Sequence, residues 1–282
     1  MQTNKGFVLL LVLVMLAIAA LLTTQTARRS LDQAILAARK QEELQRRWGE
    51  ISLRHAVLNR AEILLQTAQL QDGIPHSTIR GVVKLGAATY ELVLADEQAK
   101  MNLNVAYRYG KQAAVEQALF KEEVLLPVRL KPDPKADPNK LYPPAFASWG
   151  HLYDFVFLAD IGNRQNFRPS QLGFLTTCWG NGQLNVKRAD TDTIRMTCEW
   201  VVAPQAVTAL LEFRQENPTM EFEMALKKVD MLERDRQLLR RILTDRSRCH
   251  SLWTTTTVLN QSWHRLDIKT SDSAEGMHIR AY

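Results

Sequence analysis

Residues 7–22, FVLLLVLVMLAIAALL, form an unbroken run of apolar side chains and alanine, and no charged residue occurs from Gly6 to Ala27. A helix needs about 20 apolar residues to cross the hydrocarbon core of a bilayer. A helix that is apolar on every side is rarely part of a soluble core. The run therefore predicts a transmembrane helix at residues 7–27.

Three interpretations fit this segment, and they differ in how the chain is processed. The first is a cleaved secretory signal that loses about 26 residues, and the second is a plain signal anchor. The third is a prepilin that is cut after Gly6, so that Phe7 becomes the new terminus. Lys5 and Gly6 followed by an aromatic residue resemble the site of type IV prepilin peptidases, which favours the third interpretation. Arg28 and Arg29, directly after the run, mildly favour the opposite orientation by the positive-inside rule.

Beyond the membrane run, apolar or aromatic side chains recur every three or four residues, which defines one face of a helix. This face comprises Leu31, Ile35, Ala38, Leu44, Trp48, Ile51, His55, Leu58 and Leu65. No proline precedes Pro75, and Gly73 is a typical helix terminator. The pattern therefore predicts one continuous helix that ends near Asp72 and Gly73.

The pattern then changes to alternation, to further helical segments, and back to alternation. Strands are predicted at 81–84, 88–95, 251–259, 263–269 and 277–282, where β-forming residues alternate with polar ones. Helices are predicted at 115–124, 149–159, 205–214 and 220–243, and a loop with five prolines at 131–144. This order predicts an α+β fold, in which a long N-terminal helix packs on a small antiparallel sheet that carries a large, mainly helical insertion.

Two motifs lie near the predicted strands. Residues 96–104, DEQAKMNLN, combine an acidic pair, a basic residue and Asn-Leu-Asn, in which Asn102 and Asn104 are suited to capping the backbone around one buried leucine. Residues 179–186, WGNGQLNV, form a glycine turn that ends in Asn185 and a valine. Together with the Lys-Gly-Phe-Val border and the helical insertion, these motifs resemble the minor pseudopilin K family of bacterial type II secretion systems, the general secretion pathway K family.

The resemblance implies a pilin-like fold and a role in filament assembly rather than catalysis. The implied division of the chain is a leader at 1–6, a transmembrane helix at 7–27, a pilin-like domain at 28–110 plus 249–282, and a helical insertion domain at 111–248. The residues of the family motifs are Asp96, Glu97, Asn102, Asn104 and Asn185. Processing would fall between Gly6 and an N-methylated Phe7. The chain would cross the bacterial inner membrane once, with its globular part in the periplasm.

The fifth residue after the implied cleavage is Leu11, where most pilins and major pseudopilins carry glutamate. Without that carboxylate the subunit cannot pair with the buried terminal ammonium of a neighbour, which favours the tip of the filament. Implied partners are the other minor pseudopilins, the major pseudopilin, prepilin peptidase and the inner-membrane secretion platform; no nucleic acid is expected. The side chains expected to pack in the filament are Leu11, Leu31, Ile35, Trp48, Ile51 and Leu58.

Composition and the remaining motifs narrow the functional classes. With 46% hydrophobic and 23% charged residues the chain is not disordered or collagen-like, and three cysteines are too few for a disulfide scaffold. Cys178 and Cys198 are predicted either as a disulfide or as two buried thiols. Asp190 and Asp192 are weak candidates for calcium, with a surface turn as the alternative; no other cofactor is expected.

Two other classes remain open. A type IV or DNA-uptake minor pilin would share the N-terminal segment, and its basic stretch at 227–248 and a hairpin at 158–162 would then face DNA. A membrane-anchored or secreted enzyme is the third class, but the chain contains no GxGxxG, P-loop, HExxH or GxSxG motif.

Overall fold

The computed structural model describes most of the chain. Its described residues are 5–73, 75–121, 128–137, 144–154, 173–217, 221–258 and 261–270. The first four residues of the expected leader, the hairpin at 158–162 and the strand predicted at 277–282 lie outside these ranges. The chain forms two compact units, Met1–Ser52 and Leu53–Tyr282.

The first helix, α1, spans Lys5–Leu58. By length and composition its apolar part is long enough to cross a membrane, and it is the one helix of the described residues that meets this condition. Thr23 and Thr24 donate their hydroxyl hydrogens to the carbonyl oxygens of Ala19 and Ala20, at 2.9 and 2.7 Å. These bonds satisfy the hydroxyl donors within the helix itself, as an apolar environment requires.

The prediction of one continuous helix to Gly73 is wrong at one point, because the helix breaks after Leu58. Arg60 leaves helical geometry (φ −116°, ψ 16°), and α2 begins again at Ala61–Asp72. The predicted end is confirmed: Gly73 adopts the left-handed conformation (φ 75°), and its N–H donates to the carbonyl oxygen of Gln69 at 2.8 Å. A side chain would be strained in this conformation, which suits glycine.

Two strands follow α2, and two more close the described part of the chain. They are β1 (Thr78–Leu85), β2 (Ala88–Asp96), β7 (Cys249–Val258) and β8 (Gln261–Thr270), and all neighbours in the order β1-β2-β7-β8 are antiparallel. In the central pair Tyr90 lies opposite Thr256 and Leu94 opposite Leu252. The predicted strands at 88–95, 251–259 and 263–269 are confirmed within the described residues, and the first strand is longer than predicted.

One face of this sheet is covered by the end of α1 and by α2. Leu58 and Leu65, two members of the predicted helical face, are buried against Tyr90, Leu94 and Leu252. The apolar face of the helices and the inward-facing side chains of the strands therefore form one apolar layer. The α+β fold with a long N-terminal helix on a small antiparallel sheet is confirmed.

The segment between β2 and β7 is mainly helical. Its elements are β3 (Met101–Asn102), α3 (Leu103–Lys121), β4 (Thr176–Thr177), β5 (Leu184–Asn185), α4 (Thr191–Glu199), α5 (Pro204–Glu216), α6 (Phe222–Lys228), α7 (Glu233–Ile242) and β6 (Leu243–Thr244). The short strands pair in parallel, β3 with β4 and β5 with β6. Because the sheet strands lie before and after it, the helical segment is an insertion into the sheet order. The exact limits of the four predicted segments of the chain stay a prediction.

Three helix predictions in this segment need correction. The helix predicted at 220–243 is two helices, because Val229 is extended (φ −73°, ψ 130°) between α6 and α7. Of the helix predicted at 149–159, the described residues form a short 3₁₀ turn, Trp149–His151, followed by a bridge between Tyr153 and Val128, and residues 155–159 lie outside the described ranges. The helix predicted at 115–124 begins at Leu103 and has a non-helical residue, Lys111, inside it.

For Cys178 and Cys198, the structure shows two buried thiols and not the alternative of a disulfide. Cys178 and Cys198 are buried thiols, and they belong to different hydrophobic clusters. Cys198 packs among Ile194, Leu210 and neighbouring side chains of the helical segment. Burial raises the pKa of the Cys198 thiol to about 12, which keeps it protonated and unreactive.

Replacement of Leu65 tests the layer between α2 and the sheet. Leu65→Ala is expected to lower the free energy of unfolding by about 2–5 kcal/mol, because it leaves a cavity in a filled core. Leu70 lies on the same helix and is 85% exposed, so Leu70→Ala is the matched control, with a change within about 0.5 kcal/mol. Denaturant unfolding of the full-length chain in detergent, followed by circular dichroism, measures both. Equal losses in the two variants would contradict the packing.

Candidate functional site

The segment 96–104 lies between the sheet and the helical insertion, and all nine of its residues are buried. It leaves the end of β2, makes a 3₁₀ turn at Glu97–Ala99, continues as β3 and enters α3. Six of its nine side chains are polar or charged. Buried polar groups require partners, since an unpaired one costs several kcal/mol. We call this segment and its partners the polar junction.

Asp96 ends β2 and accepts hydrogen bonds from four different parts of the chain. Its Oδ1 accepts from the backbone N–H of Gln98 at 2.9 Å, which caps the 3₁₀ turn. Its Oδ2 accepts from Asn185 Nδ2 at 3.2 Å, from Arg188 Nη1 at 3.3 Å and from the Ser247 hydroxyl. One carboxylate thus joins the sheet to β5, to the approach to α4 and to the segment that leads into β7.

Glu97 is nearly inaccessible to water, and it forms a buried ion pair with Lys100. The distance from Lys100 Nζ to Glu97 Oε1 is 2.6 Å. The hydroxyls of Thr177 and Ser251 also donate to the two carboxylate oxygens. A buried ion pair is tolerated only when its remaining lone pairs are bonded in this way. Glu97 therefore ties the turn to β4 and β7.

The two asparagines organise the start of α3 around the fully buried Leu103. Asn102 Oδ1 accepts from the backbone N–H groups of Asn104 and Val105 at 2.9 and 3.3 Å, and its Nδ2 donates to Trp179 O at 2.8 Å. Asn104 exchanges hydrogen bonds with the backbone of Phe146, at 2.8 and 3.0 Å, and also donates to Cys178 O at 3.0 Å. Both amides bind backbone groups more than 40 residues away.

Asn185, the asparagine of the glycine-turn motif at 179–186, completes this network. Besides Asp96, its Nδ2 contacts the Ser247 oxygen at 2.6 Å, and its Oδ1 accepts from the backbone N–H of Lys187 at 3.0 Å. The five motif residues predicted from the sequence, Asp96, Glu97, Asn102, Asn104 and Asn185, therefore all lie in the polar junction. Gln98, which was not singled out, connects to the same turn through Asn181 Oδ1 at 2.7 Å.

Sequence reasoning also missed the strongest charge pair at the edge of the junction. Arg188 donates two hydrogen bonds to Glu62 of α2, at 2.7 and 2.8 Å, and a third to Asp96. His250 Nε2 lies 3.4 Å from Glu62 Oε2. Burial alone would raise the pKa of Glu62, but His250 and the Arg188 guanidinium outweigh it and lower this pKa to about 2. No local pattern indicates this pair, because its members are 126 residues apart.

The calcium candidates have other contacts in the structure. Asp190 is the N-cap of α4, and its two oxygens accept from the backbone N–H and the hydroxyl of Thr193 at 2.6 and 2.8 Å. The Asp192 side chain is 86% exposed and lies 3.8 Å from Arg195. Across the described ranges no group of three or more His, Cys, Asp or Glu side chains is placed to hold a metal ion.

The predicted filament-packing residues fall into two groups. Leu11, Leu31, Ile35 and Trp48 are all exposed, as is Phe7 at the predicted processing site. Ile51 is half-buried. Leu58 differs, because it is buried in the sheet core and so packs within this chain rather than against another subunit.

The polar junction joins separate parts of the fold. Its carboxylates each receive several hydrogen bonds, and its amides bind backbone groups, so the arrangement fixes the helical insertion onto the sheet. The geometry therefore defines an α+β fold in which the polar junction joins a small antiparallel sheet to its helical insertion.

Comparison with solved structures gives a remote similarity. A chain in the crystal structure of the GspK-GspI-GspJ complex from the type 2 secretion system of enterotoxigenic Escherichia coli is similar to this chain, with 16% identity, coverage of 87% of this chain and 99% of that chain, and a TM-score of 0.47. No protein-family model and no curated protein sequence matches the chain. A similarity this remote carries no argument about function.

Replacement of Glu62 tests the charge pair through its pH dependence. Because the folded-state pKa of Glu62 lies below the ordinary value of 4.5, its stabilisation is complete above about pH 4.5 and is lost as the pH falls toward about 2. Glu62→Gln is expected to lower the free energy of unfolding at neutral pH by about 1 kcal/mol, a small value since the side chain is 42% exposed to screening solvent.

Denaturant unfolding at several pH values measures this effect. The difference between the wild type and Glu62→Gln should shrink as the pH falls through the stated range, while Glu212→Gln, at an exposed position on α5, should match the wild type throughout. A difference that stays constant with pH would show that Glu62 contributes through packing and not through its charge.

Proposed function

We propose that this chain is a minor pseudopilin of a type II secretion system, of the K type, which is anchored in the bacterial inner membrane and helps to start a short periplasmic filament for protein export. The observation that carries the proposal is the N-terminal border, where Lys5 and Gly6 precede Phe7 and the apolar part of α1. Prepilin processing needs this arrangement of polar leader, glycine and aromatic residue, and a secretory signal does not.

The exposed apolar side chains of α1 support an assembly role. Leu31, Ile35 and Trp48 lie beyond the membrane run and are 62%, 43% and 66% exposed. Large apolar side chains that are exposed to water on one helical face are unfavourable. A partner helix that covers them lowers the free energy by burying their apolar surface. Other pseudopilin helices are the proposed partners on this face, and residues 7–27 of α1 would remain in lipid.

Leu11 supports a position at the tip. In a pilin bundle each terminal ammonium is buried in an apolar environment, where a charge requires a partner of opposite sign. A subunit that carries leucine at this place supplies no carboxylate to a neighbour. It is therefore tolerated best where no such ion pair is needed, at the first position of the filament. The inserted helical segment agrees with this position, since packing on all sides would exclude it.

The proposed partners follow from this role. Prepilin peptidase would cut after Gly6, the inner-membrane secretion platform would hold the chain during assembly, and other minor pseudopilins and the major pseudopilin would pack on α1. The role is one of assembly and not of catalysis, and the globular part would lie in the periplasm.

The mass of the mature N-terminus tests the proposal most directly. In native membranes the chain is expected to begin at Phe7 and to carry a methyl group, as measured by mass spectrometry. Gly6→Leu should leave the leader attached, because the added side chain occupies the cleavage position, while Thr3→Leu adds similar bulk in the leader and should be processed normally. A terminus near Arg28 would indicate ordinary secretion and overturn the proposal, and an intact leader in the wild type would also do so.

Replacement of Leu11 tests the tip position. Leu11→Glu restores the carboxylate that mid-filament subunits use, so more copies of the chain per filament are expected, measured by quantitative immunoblotting of sheared filaments. Leu9→Glu is the matched control, because it places the same charge about 200° away around the helix. An unchanged copy number with Leu11→Glu, or an equal rise with Leu9→Glu, would contradict the role assigned to Leu11.

A further inference from the structure

A second feature of the chain lies beside the polar junction, at a pocket of about 240 Å³ between α3 and the end of α7. The side chains and backbone that line it belong to Val105, Arg108, Tyr109, Gly182, Arg241 and Ile242. The lining contains two arginines and no carboxylate. Gly182, at a positive φ of 81°, contributes backbone alone and so leaves the pocket open on its side.

The two arginines have no anionic partner among the residues that the structure describes. The guanidinium carbon of Arg108 lies 5.4 Å from the centroid of the Tyr109 ring. In the described ranges the guanidinium groups of Arg108 and Arg241 form no ion pair and no hydrogen bond, and the one bond at Arg108 is from Lys111 Nζ to its backbone oxygen. The adjacent Arg240 differs, since its Nε lies 3.1 Å from a Glu223 oxygen.

Two arginines without anionic partners in one pocket are unusual, because arginine cannot become neutral by losing its proton in a protein. Arg108 is half-buried, so its charge is partly withdrawn from water without compensation by a carboxylate. Arg241 is exposed and brings a second positive charge to the same pocket. Two like charges that share a pocket raise its free energy, and an anion that enters relieves both costs.

We infer that this pocket binds an oxyanion of the phosphate class, either inorganic phosphate or a phosphate monoester. Guanidinium groups donate in a planar fork that matches phosphate oxygens, and two of them balance an anion with a charge of about −2. Tyr109, Val105 and Ile242 supply an apolar wall that accommodates the organic part of an ester. The inference is independent of the proposed secretion function.

Isothermal titration of the full-length chain in detergent with inorganic phosphate tests this site. One phosphate is expected to bind, and Arg108→Gln and Arg241→Gln should each weaken binding by about tenfold or more, which corresponds to about 1.4 kcal/mol. Arg234→Gln removes an equal charge from an exposed position of α7 outside the pocket and should leave binding unchanged. Because Arg241 is exposed, its variant keeps the test valid even if Arg108→Gln does not fold.

A second titration with sn-glycerol 3-phosphate distinguishes the source of the ligand. Tighter binding of this ester than of phosphate supports a site for an organic phosphate such as a lipid headgroup, and weaker binding supports a site for free phosphate. An equal response to chloride at the same ionic strength would overturn the proposal. The proposal would also be overturned if Arg234→Gln weakened binding equally, or if neither phosphate compound bound at about 10 mM. That concentration detects even a binding free energy near −3 kcal/mol.

Discussion

A carboxylate that is withdrawn from water must receive hydrogen bonds or a cationic partner, and this constraint governs the attachment of the helical insertion to the sheet. Asp96 and Glu97 lie where β2 ends and the insertion begins, and both are almost fully buried. Their partners come from β4, β5, β7 and the approach to α4. Separation of the insertion from the sheet would leave these carboxylates unpaired, so the two parts are held in one arrangement.

The polar junction also explains why the chain can carry a long insertion between two paired strands. β2 and β7 are neighbours in the sheet although about 150 residues separate the Asp96 carboxylate from its Ser247 partner. Closing so long a connection costs entropy, although the cost grows only slowly with length. The hydrogen bonds of Asp96, Glu97 and Gln98 to residues near the start of β7 join the two ends of the connection directly. The insertion therefore begins and ends at the same place in the fold.

Local pattern predicted those elements whose burial follows a simple period. The alternation in 88–95 and the apolar face through Leu58 and Leu65 are visible in sequence because neighbouring residues share one environment. The two halves of 220–243 have helical composition throughout, and the non-helical residues 229–232, with Val229 and Leu232 extended, divide them. Asp190 is an N-cap, whose signature of an acidic residue in a turn is shared by a calcium ligand. The pair of Arg188 and Glu62 joins distant residues, so no local pattern could predict it.

The globular unit and the apolar part of α1 differ in how they accommodate charge. Within Leu53–Tyr282 buried charges occur together with their partners, as with Arg188, which contacts both Glu62 and Asp96. In the apolar part of α1 no charged side chain occurs, and position 11 is a leucine. The first arrangement is complete within the chain, whereas the second leaves no side chain of residues 6–27 able to neutralise a charged group in apolar surroundings. The apolar part of α1 is therefore suited to surroundings without charge, whereas the globular unit can bury the carboxylates of the polar junction only because it also supplies their partners.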